Sequence, residues 1–347
     1  MSFDQYFLGH AADLEALLAR WNAAPHALGR PQRYAYPQGS DPGGRALLAK
    51  MVQQQLSSGG KRLRGLLPVA LVSAAGGDVQ AALALGAAVE LVHNGTLAHD
   101  DVQDGDRLRR GVPTLWTSVG EAQAINAGDA MLTAPLGQLL SCDQITQELR
   151  GPLALLLADA IAETIRGQVA DLGLRDLAAP TLDELMAVHL AKTGPLFGTC
   201  LAGAALILGQ SAAAVEACHE AARHLGLAFQ LRDDLLDVLG TKGRGAAGAD
   251  LQEGKWTAPM LLAAPQDRPG AAEMAADLRR AADGQALEAD RVAHWVHWAR
   301  RLGGVEATEA ILDQELAAFS LAAEKALPAA CQPVLHALVA RLMRADG

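Results

Sequence analysis

The stretch "HDDVQDGDRLRRG", residues 99–111, carries four aspartates and three arginines in a chain that is 50% hydrophobic. It ends a long apolar run whose periodicity predicts a helix over roughly 79–104. A second acidic cluster, "DDLLD" at residues 233–237, ends another predicted helix over roughly 212–239. Because positions i and i+4 share one face of a helix, each cluster presents a pair of carboxylates side by side.

The two carboxylate pairs predict a bound cation. Like charges at this spacing repel, and the C-terminal end of a helix is the unfavourable end for anions. Mg²⁺ prefers oxygen ligands and binds proteins through a few carboxylates together with substrate phosphates. Two facing pairs would therefore hold a magnesium cluster that grips a diphosphate. A solvated helix end is the alternative for each cluster, and the recurrence of the pattern weighs against it.

The composition predicts an all-α protein, since alanine and leucine dominate and aromatic residues make up 4% of the chain. Gly- and Pro-rich connections separate the predicted helices. The remaining long helices are predicted over roughly 45–58, 66–76, 119–141, 152–173 and 182–208. Residues 1–44 are expected to form an accessory N-terminal helix and loop, and the Gly-rich segment 240–255 is the longest connection.

Charge and cysteine usage exclude several classes of protein. A formal net charge of −10 disfavours a general nucleic-acid binder, which needs a basic surface. The four cysteines form no CxxC pair, so neither a disulfide framework nor a zinc site is expected. The N-terminus lacks the pattern of a signal peptide, and no unbroken apolar run predicts a membrane span. We expect a soluble protein of the reducing cytoplasm.

Seven stretches of the chain, in this order, resemble the trans-isoprenyl diphosphate synthases, also called polyprenyl synthetases. They are "GGKRLR", "ELVHNGTLAHDDVQDGDRLRRGVPT", "AGDAML", "GQVADL", "KTGPLF", "FQLRDDLLDVLG" and "GADLQEGKWTAP". The resemblance implies one isoprenoid synthase domain over residues 1–347, a bundle of long antiparallel helices around a central cavity, and a homodimer. It also implies head-to-tail condensation, in which an allylic diphosphate ionises and isopentenyl diphosphate attacks the carbocation.

The resemblance gives each matched residue a role. Departure of diphosphate requires neutralisation of the developing anion by metal ions and cationic side chains. The residues expected to ligate about three Mg²⁺ ions are Asp100, Asp101, Asp104, Asp233, Asp234 and Asp237. The residues expected to hold the allylic diphosphate are Arg109, Lys192 and Lys255. The remaining substrate-binding residues, expected to serve isopentenyl diphosphate, are Lys61, Arg62, Arg64, His93 and Arg110.

The stretch "KTGPLF" is expected to help stabilise the carbocation. Pro195 lacks an N–H and displaces the carbonyl four residues earlier, which predicts a kink near residues 191–193 with free backbone carbonyls. Those carbonyls, together with Thr193 and Gln230, would face the cation. The alternative is that the helix simply ends at Gly194.

Product length is expected to depend on the helix that precedes Asp100. Thr96 and Gly95 lie about one turn before this aspartate, roughly 5 Å along the helix. Bulky aromatic residues at these positions close the pocket at fifteen carbons in the family, whereas both residues here are small. The chain is therefore expected to make geranylgeranyl diphosphate (C20) or a longer product. The alternatives are a C15 farnesyl diphosphate synthase and a pocket floor set near Met131 and Leu132.

Other functions and some departures from the family pattern bear on this interpretation. A class I terpene cyclase has a different second metal motif, and a head-to-head synthase fits "GGKRLR" poorly. A non-catalytic partner subunit would have lost aspartates or lysines, and a helical scaffold protein without chemistry also remains open.

Gly65 stands where the family usually has proline, and Pro68 is expected to serve in the first turn of the next helix. Arg244 and Pro195 depart from the pattern without removing a metal ligand.

Overall fold

The computed structural model describes residues 3–23, 44–175, 177, 179–240, 247–285 and 287–343. Most of the accessory loop predicted before residue 44 lies outside these residues. So does Arg244 in the segment 240–255.

The described residues form an all-α protein, as predicted. The helices up to residue 174 are α1 (Phe3–Phe7), α2 (Ala11–Ala23), α3 (Gly44–Leu56), α4 (Leu63–Ala74), α5 (Val79–Gln103), α6 (Leu115–Val119), α7 (Glu121–Ser141) and α8 (Gln147–Leu174). Those that follow are α9 (Leu182–Ile207), α10 (Ala212–Leu239), α11 (Ala249–Gln252), α12 (Ala258–Ala263), α13 (Arg268–Ala282), α14 (Ala289–Arg301), α15 (Gly304–Ala326) and α16 (Gln332–Leu342). Short 3-10 helices lie at Leu8–His10, Ala264–Gln266 and Ala329–Cys331. Each predicted long helix is observed with its ends shifted by a few residues.

A small antiparallel hairpin follows the first aspartate cluster, where only a connection was predicted. Strands β1 (Leu108–Arg109) and β2 (Val112–Pro113) pair Leu108 with Pro113 and Arg109 with Val112. The two turn residues, Arg110 and Gly111, both have positive φ, at 53° and 79°. This is the geometry of a type I′ turn. Strands of two residues are too short to produce an alternating pattern, so they could not be predicted from the sequence.

The chain divides into two compact units, of which the first comprises Met1–Ile161, Thr199–Glu216 and Leu327–Val334. Helix α5 is central to this unit and packs against α4 and α7. Its residues from Ala81 to Val92 are buried on every side, which explains why the helix is apolar all round. Asp78 caps its N-terminus by accepting from the backbone N–H groups of Gln80 and Ala81, at 3.0 and 3.2 Å.

Helices α4 and α5 approach most closely at Gly65 and Gly86. A Cβ atom on Gly86 would lie 2.1 Å from the backbone oxygen of Gly65. Glycine at both positions therefore permits backbone contact between the two helices.

Pro68 lies inside α4, so the expectation that it would occupy the first turn is wrong. A proline in the helix interior cannot donate to the carbonyl four residues earlier, here that of Arg64. The Cys200 thiol donates to this carbonyl instead, at 3.1 Å. Burial raises the pKa of Cys200, so the thiol stays protonated and remains a donor. The helix thus tolerates the proline because a second donor replaces the missing N–H.

The second compact unit comprises Ala162–Gly198, Ala217–Ala326 and Leu335–Gly347. Glycines again mark close helix contacts: a Cβ on Gly167 of α8 would lie 2.5 Å from the α9 backbone, and one on Gly226 of α10 would lie 2.7 Å from Gly194. Helix α12 packs against α14 and α15. Helix α9 continues through Pro195, so the alternative that it ends at Gly194 is wrong.

Two helices, α5 and α9, are long and apolar enough to cross a membrane by length and composition alone. Most of the apolar part of each is buried inside the protein, and burial of this kind accounts for the composition of a core helix. The cysteines Cys142, Cys200, Cys218 and Cys331 are free thiols, in line with their scattered spacing.

Candidate active site

The first aspartate cluster lies at the C-terminal end of α5, in the first unit. Asp100 and Asp104 are half-buried and sit on successive turns, with the Asp104 N–H donating to the Asp100 carbonyl at 2.8 Å. Their carboxylates therefore occupy neighbouring places on one side of the helix. This is the arrangement that the spacing predicts.

Asp101 has a different environment from its two neighbours. Its side chain is 1% exposed, and its Oδ1 atom pairs with the Nε atom of Arg109 at 2.6 Å. The other carboxylate oxygen, Oδ2, is buried and has no hydrogen-bond partner. Burial raises the pKa of Asp101 to about 6, although the Arg109 guanidinium opposes that rise. Asp101 thus holds the arginine that follows the cluster, and its predicted role as a metal ligand stays a prediction.

The hairpin places two of the three arginines of "RLRR", Arg109 and Arg110, close to other segments of the first unit. Arg109 pairs with Asp101 and, more weakly, with Asp106 at 3.7 Å. Arg110 donates a hydrogen bond to the carbonyl of Gly59, in the turn that precedes α4. The hairpin therefore joins the aspartate cluster to the "GGKRLR" turn, two stretches that lie about 40 residues apart in the sequence.

Four predicted substrate-binding arginines lie near His93, which is itself a predicted substrate-binding residue. His93 lies on α5 two turns before Asp100, and the positive charges of Arg64, Arg110, Arg109 and Arg62 all act on it. Burial, followed by Arg64 and Arg110, holds the pKa of His93 well below its usual range. The imidazole is therefore neutral at pH 7 and can both donate and accept hydrogen bonds.

Arg62 makes contacts within the protein on three sides. Its guanidinium pairs with Glu15 of α2 at 2.7 Å and with Glu90 of α5 at 3.6 Å. It also donates to the carbonyl of Leu56 at 2.5 Å. Its predicted contact with substrate stays a prediction, but most of its donors are already engaged.

The second aspartate cluster lies near the C-terminal end of α10, in the second unit. Asp233 is half-buried, whereas Asp234 and Asp237 are buried. Asp234 accepts from the His189 imidazole at 3.2 Å and from the Ala258 N–H at 2.8 Å. Asp237 accepts from the Asp250 N–H through both oxygens, at 3.3 and 3.4 Å. Two of the three carboxylates thus hold neighbouring segments in place, and Asp233 is the most accessible of the cluster.

His189 was missed by the sequence analysis. Burial lowers the pKa of this histidine, but the charge and the hydrogen bond of Asp234 outweigh burial, so the pKa is raised. A lone histidine in an apolar helix carries no pattern that would identify its partner, since Asp234 lies 45 residues away.

Both predicted lysines of the second unit pair with carboxylates. Lys192 of α9 pairs with Asp171 of α8 at 2.9 Å. The Lys255 side chain pairs with Glu253 at 2.6 Å, and the Lys255 backbone N–H donates to the Asp250 carbonyl at 2.9 Å. Asp171 was not singled out from the sequence, although the stretch "GQVADL" contains it.

Thr193 and Gln230 are in direct contact, as a shared role requires. The Gln230 side-chain amide donates to the Thr193 hydroxyl at 2.5 Å. The close approach of α9 and α10 at Gly194 and Gly226 brings the two side chains within reach.

The two predicted chain-length residues differ in the space around them. Gly95 is buried, and an added Cβ would lie 3.0 Å from the Met131 Cβ and 3.1 Å from the Gly128 carbonyl of α7. Gly95 therefore permits close packing of α5 on α7. Thr96 is half-buried, and its hydroxyl donates to the His93 carbonyl at 2.8 Å.

Residues 45–293 match the polyprenyl synthetase family. The chain belongs to that family. Among curated proteins, it is 36% identical to the farnesyl diphosphate synthase of Bacillus subtilis over 223 residues, which covers 62% of this chain and 75% of that one. It is 37% identical to the geranylgeranyl diphosphate synthase of Mycobacterium tuberculosis over 221 residues, covering 63% of each chain. The prediction of a trans-prenyltransferase is confirmed.

Solved structures support the same fold for this polyprenyl synthetase. A polyprenyl synthase from Caulobacter crescentus, complexed with calcium and isoprenyl diphosphate, has a TM-score of 0.81 and 27% identity, over 99% of this chain and 97% of that one. The geranylgeranyl pyrophosphate synthetase of Pyrococcus horikoshii has a TM-score of 0.81 at 23% identity, over 99% and 98% of the two chains. The expected isoprenoid synthase fold is confirmed.

Among the described residues of this polyprenyl synthetase, no group of three or more His, Cys, Asp or Glu side chains is gathered closely enough to hold a metal ion. Within α5, the half-buried pair Asp100 and Asp104 offers two carboxylates. That donor set suits an ion that also takes oxygens from substrate and water.

Proposed function

We propose that this polyprenyl synthetase condenses isopentenyl diphosphate head-to-tail with an allylic diphosphate in a magnesium-dependent reaction. The main observation that supports this proposal is the group of arginines whose charges act on His93. His93 precedes the half-buried carboxylates Asp100 and Asp104 on the same helix. Arginines bind phosphate oxygens through a planar fork, and paired carboxylates bind hard cations. A diphosphate chelated to a cation complements both groups.

Magnesium fits the available donors. Asp100, Asp104 and Asp233 are half-buried carboxylates, and hard oxygen donors of this type suit Mg²⁺ when substrate phosphates and water complete its shell. The relative from Caulobacter crescentus binds a divalent cation, calcium, together with isoprenyl diphosphate. When bound, the metal would supply Lewis-acid stabilisation of the departing diphosphate.

The protein's own side chains then bind and orient the two substrates. Neutral His93 and the guanidinium of Arg64 would hold isopentenyl diphosphate by hydrogen bonds without repelling each other as two cations would. Lys192 and Lys255 would hold the allylic diphosphate as compact positive charges. The Thr193 hydroxyl and the Gln230 amide, fixed by their mutual hydrogen bond, would direct dipoles toward the carbocation.

Incubation of the purified chain with isopentenyl diphosphate, Mg²⁺ and each allylic primer tests this function. Chromatography is expected to show longer prenyl diphosphates, and a chelator is expected to abolish their formation until Mg²⁺ is restored in excess. A hydrocarbon formed from the allylic primer alone would indicate a terpene cyclase instead. The absence of any product with every primer would contradict the proposal and favour a partner subunit or a scaffold protein.

We further propose that the product is geranylgeranyl diphosphate or longer. Relatives named as farnesyl and geranylgeranyl diphosphate synthases have similar sequence identity to this chain. The proposal on product length therefore depends on the residues near Asp100. Thr96 leaves room one turn before Asp100, where an aromatic ring would fill about 5 Å of helix length. Gly95 lets α7 pack closely against α5, and its neighbours on α7 are Met131 and Leu132.

Thr96→Phe is expected to shift the main product from C20 or longer toward C15, because the ring would block the growing chain near Asp100. Product sizing by chromatography measures the shift. Thr133→Phe is the matched control, since Thr133 is exposed on α7 and its hydroxyl makes a similar bond to the Asp129 carbonyl. An unchanged product distribution in Thr96→Phe would show that another helix sets the length.

The homodimer implied by the resemblance and the cytoplasmic location expected from the cysteine usage are also proposals. Ile125 and Leu140 of α7 and Leu155 of α8 are exposed by 43%, 53% and 61%. Such side chains on neighbouring helices suit burial against a second copy. A mass of one 36.1-kDa chain in light scattering would contradict the dimer.

A further inference from the structure

We propose that Arg62 is a positioning residue for the isopentenyl diphosphate half of the site, and that Glu15 of the N-terminal helix α2 acts through it. Residues 58–65, which we call the basic turn, contain Lys61 and Arg64, two residues expected to contact this diphosphate. The proposal rests on the proposed function for its kinetic consequences. It gives α2 a role in the reaction, whereas the sequence suggested an accessory helix.

The Arg62 side chain is enclosed by protein partners. It is 10% exposed, with Nε on the Glu15 carboxylate at 2.7 Å and Nη1 near the Glu90 carboxylate at 3.6 Å. Its Nη2 donates to the Leu56 carbonyl at 2.5 Å. A guanidinium needs a free edge with two N–H groups to bind a phosphate bidentately. Each of the three guanidinium nitrogens already has a protein partner, so Arg62 holds the turn and its neighbours bind the substrate.

The backbone of the basic turn is held at both ends. Arg62 has φ of 48° and Arg110 has φ of 53°, and they are the non-glycine residues with positive φ in the described part of the chain. A left-handed conformation at a non-glycine residue costs on the order of 1 kcal/mol and persists only where contacts fix it. Arg62 is fixed by Glu15 and Glu90, while Arg110 donates to the Gly59 carbonyl. Two strained residues on two separate stretches thus clamp the same turn.

Glu90 fixes the far end of the turn to α5. Its Oε1 atom accepts from the Gly65 N–H at 2.8 Å, and its Oε2 atom faces Arg62. Burial raises the pKa of Glu90, and the Gly65 N–H and the charges of Arg62 and Arg64 oppose that rise. A proline at position 65 would offer no N–H. This chain therefore anchors the turn through a hydrogen bond that only a residue other than proline provides.

A shift of the basic turn would move Lys61 and displace Arg64 from His93, whereas Asp100 and Asp101 are held on α5. The affinity for isopentenyl diphosphate should therefore depend on Glu15, although Glu15 lies on another helix and touches neither substrate. The affinity for the allylic diphosphate should not depend on it.

Glu15→Ala tests the proposal in the full chain. It is expected to raise KM for isopentenyl diphosphate about fivefold, with kcat and KM for the allylic substrate changed by less than about twofold. Asp13→Ala is the matched control, because Asp13 lies on the same helix, is 63% exposed and pairs with His10 at 3.6 Å. Glu15→Gln, which keeps an acceptor for the Arg62 N–H, is expected to recover part of the loss.

Hydrogen exchange of residues 58–65 gives a second readout that needs no activity. Exchange is expected to accelerate in Glu15→Ala and to stay at the wild-type rate in Asp13→Ala, since only the former frees the turn. Unchanged exchange together with unchanged KM would overturn the proposal. So would a loss confined to Arg62→Ala, because that result would make Arg62 a direct ligand. If the wild type formed no product, the proposed function would fail, and the exchange rates would still decide the role of Glu15.

Discussion

Asp100→Asn and Asp233→Asn are each expected to lower kcat by about 10³-fold, the loss that corresponds to about 4 kcal/mol of transition-state stabilisation. Both carboxylates are half-buried, whereas the buried Asp234 and Asp237 accept hydrogen bonds from backbone N–H groups. An amide keeps the shape of the side chain but removes the charge that attracts a divalent cation. Steady-state rates at saturating substrate and Mg²⁺ measure the loss, and excess Mg²⁺ is expected to restore part of it.

Stability measurements separate this loss from misfolding. Asp100 carries a negative charge at the C-terminal end of α5, close to Asp104, where like charges and the helix dipole both disfavour it. Asp100→Asn is therefore expected to leave Tm unchanged or to raise it slightly. Asp143→Asn, at a fully exposed position that pairs with Arg150 at 3.4 Å, controls for loss of a charge. Retention of wild-type kcat in both Asp100→Asn and Asp233→Asn would contradict the proposed chemistry.

The chemical elements of the site were readable from the sequence because local pattern determines them. Apolar periodicity predicted α5 and α10, and the i, i+4 spacing predicted that Asp100 and Asp104 share one side of α5. The resemblance then named His93 and Arg64, and the structure places the charge of Arg64 near the neutral His93 imidazole. These inferences succeed since each depends on one helix or on a motif that keeps its spacing.

The roles of neighbouring residues were not readable, because they depend on contacts between distant segments. Asp100 and Asp101 are adjacent and identical in type, yet Asp101 is buried against Arg109 of a hairpin that the sequence did not reveal. Glu90 is a single charge within the apolar stretch of α5, and only the packing of α4 on α5 shows that it holds Gly65. Gly95 was identified from the sequence only as a small residue before Asp100, and the contact with α7 shows that it permits close packing.

Gly86→Ala is expected to destabilise the protein by about 3 kcal/mol or more, the upper part of the range for overpacked cores. The added Cβ would lie 2.1 Å from the Gly65 carbonyl oxygen, and this obstacle is backbone, which cannot rotate away. Separation of α4 from α5 would relieve the collision, but it would also stretch the bond from the Gly65 N–H to Glu90. Thermal or urea unfolding of the variant measures the change.

Gly137→Ala on α7 is the control for Gly86→Ala. It replaces a helical glycine by alanine without a steric collision. Gly137 has nothing within 4 Å of its added Cβ, and alanine favours a helix interior over glycine by about 1 kcal/mol. This control is therefore expected to be neutral or stabilising, opposite in sign to Gly86→Ala. If both variants unfolded at the wild-type midpoint, α4 and α5 would not be in backbone contact. A Gly86→Ala protein that still folds should also bind isopentenyl diphosphate more weakly. Movement of α4 would move the basic turn, which leads into the N-terminal end of α4.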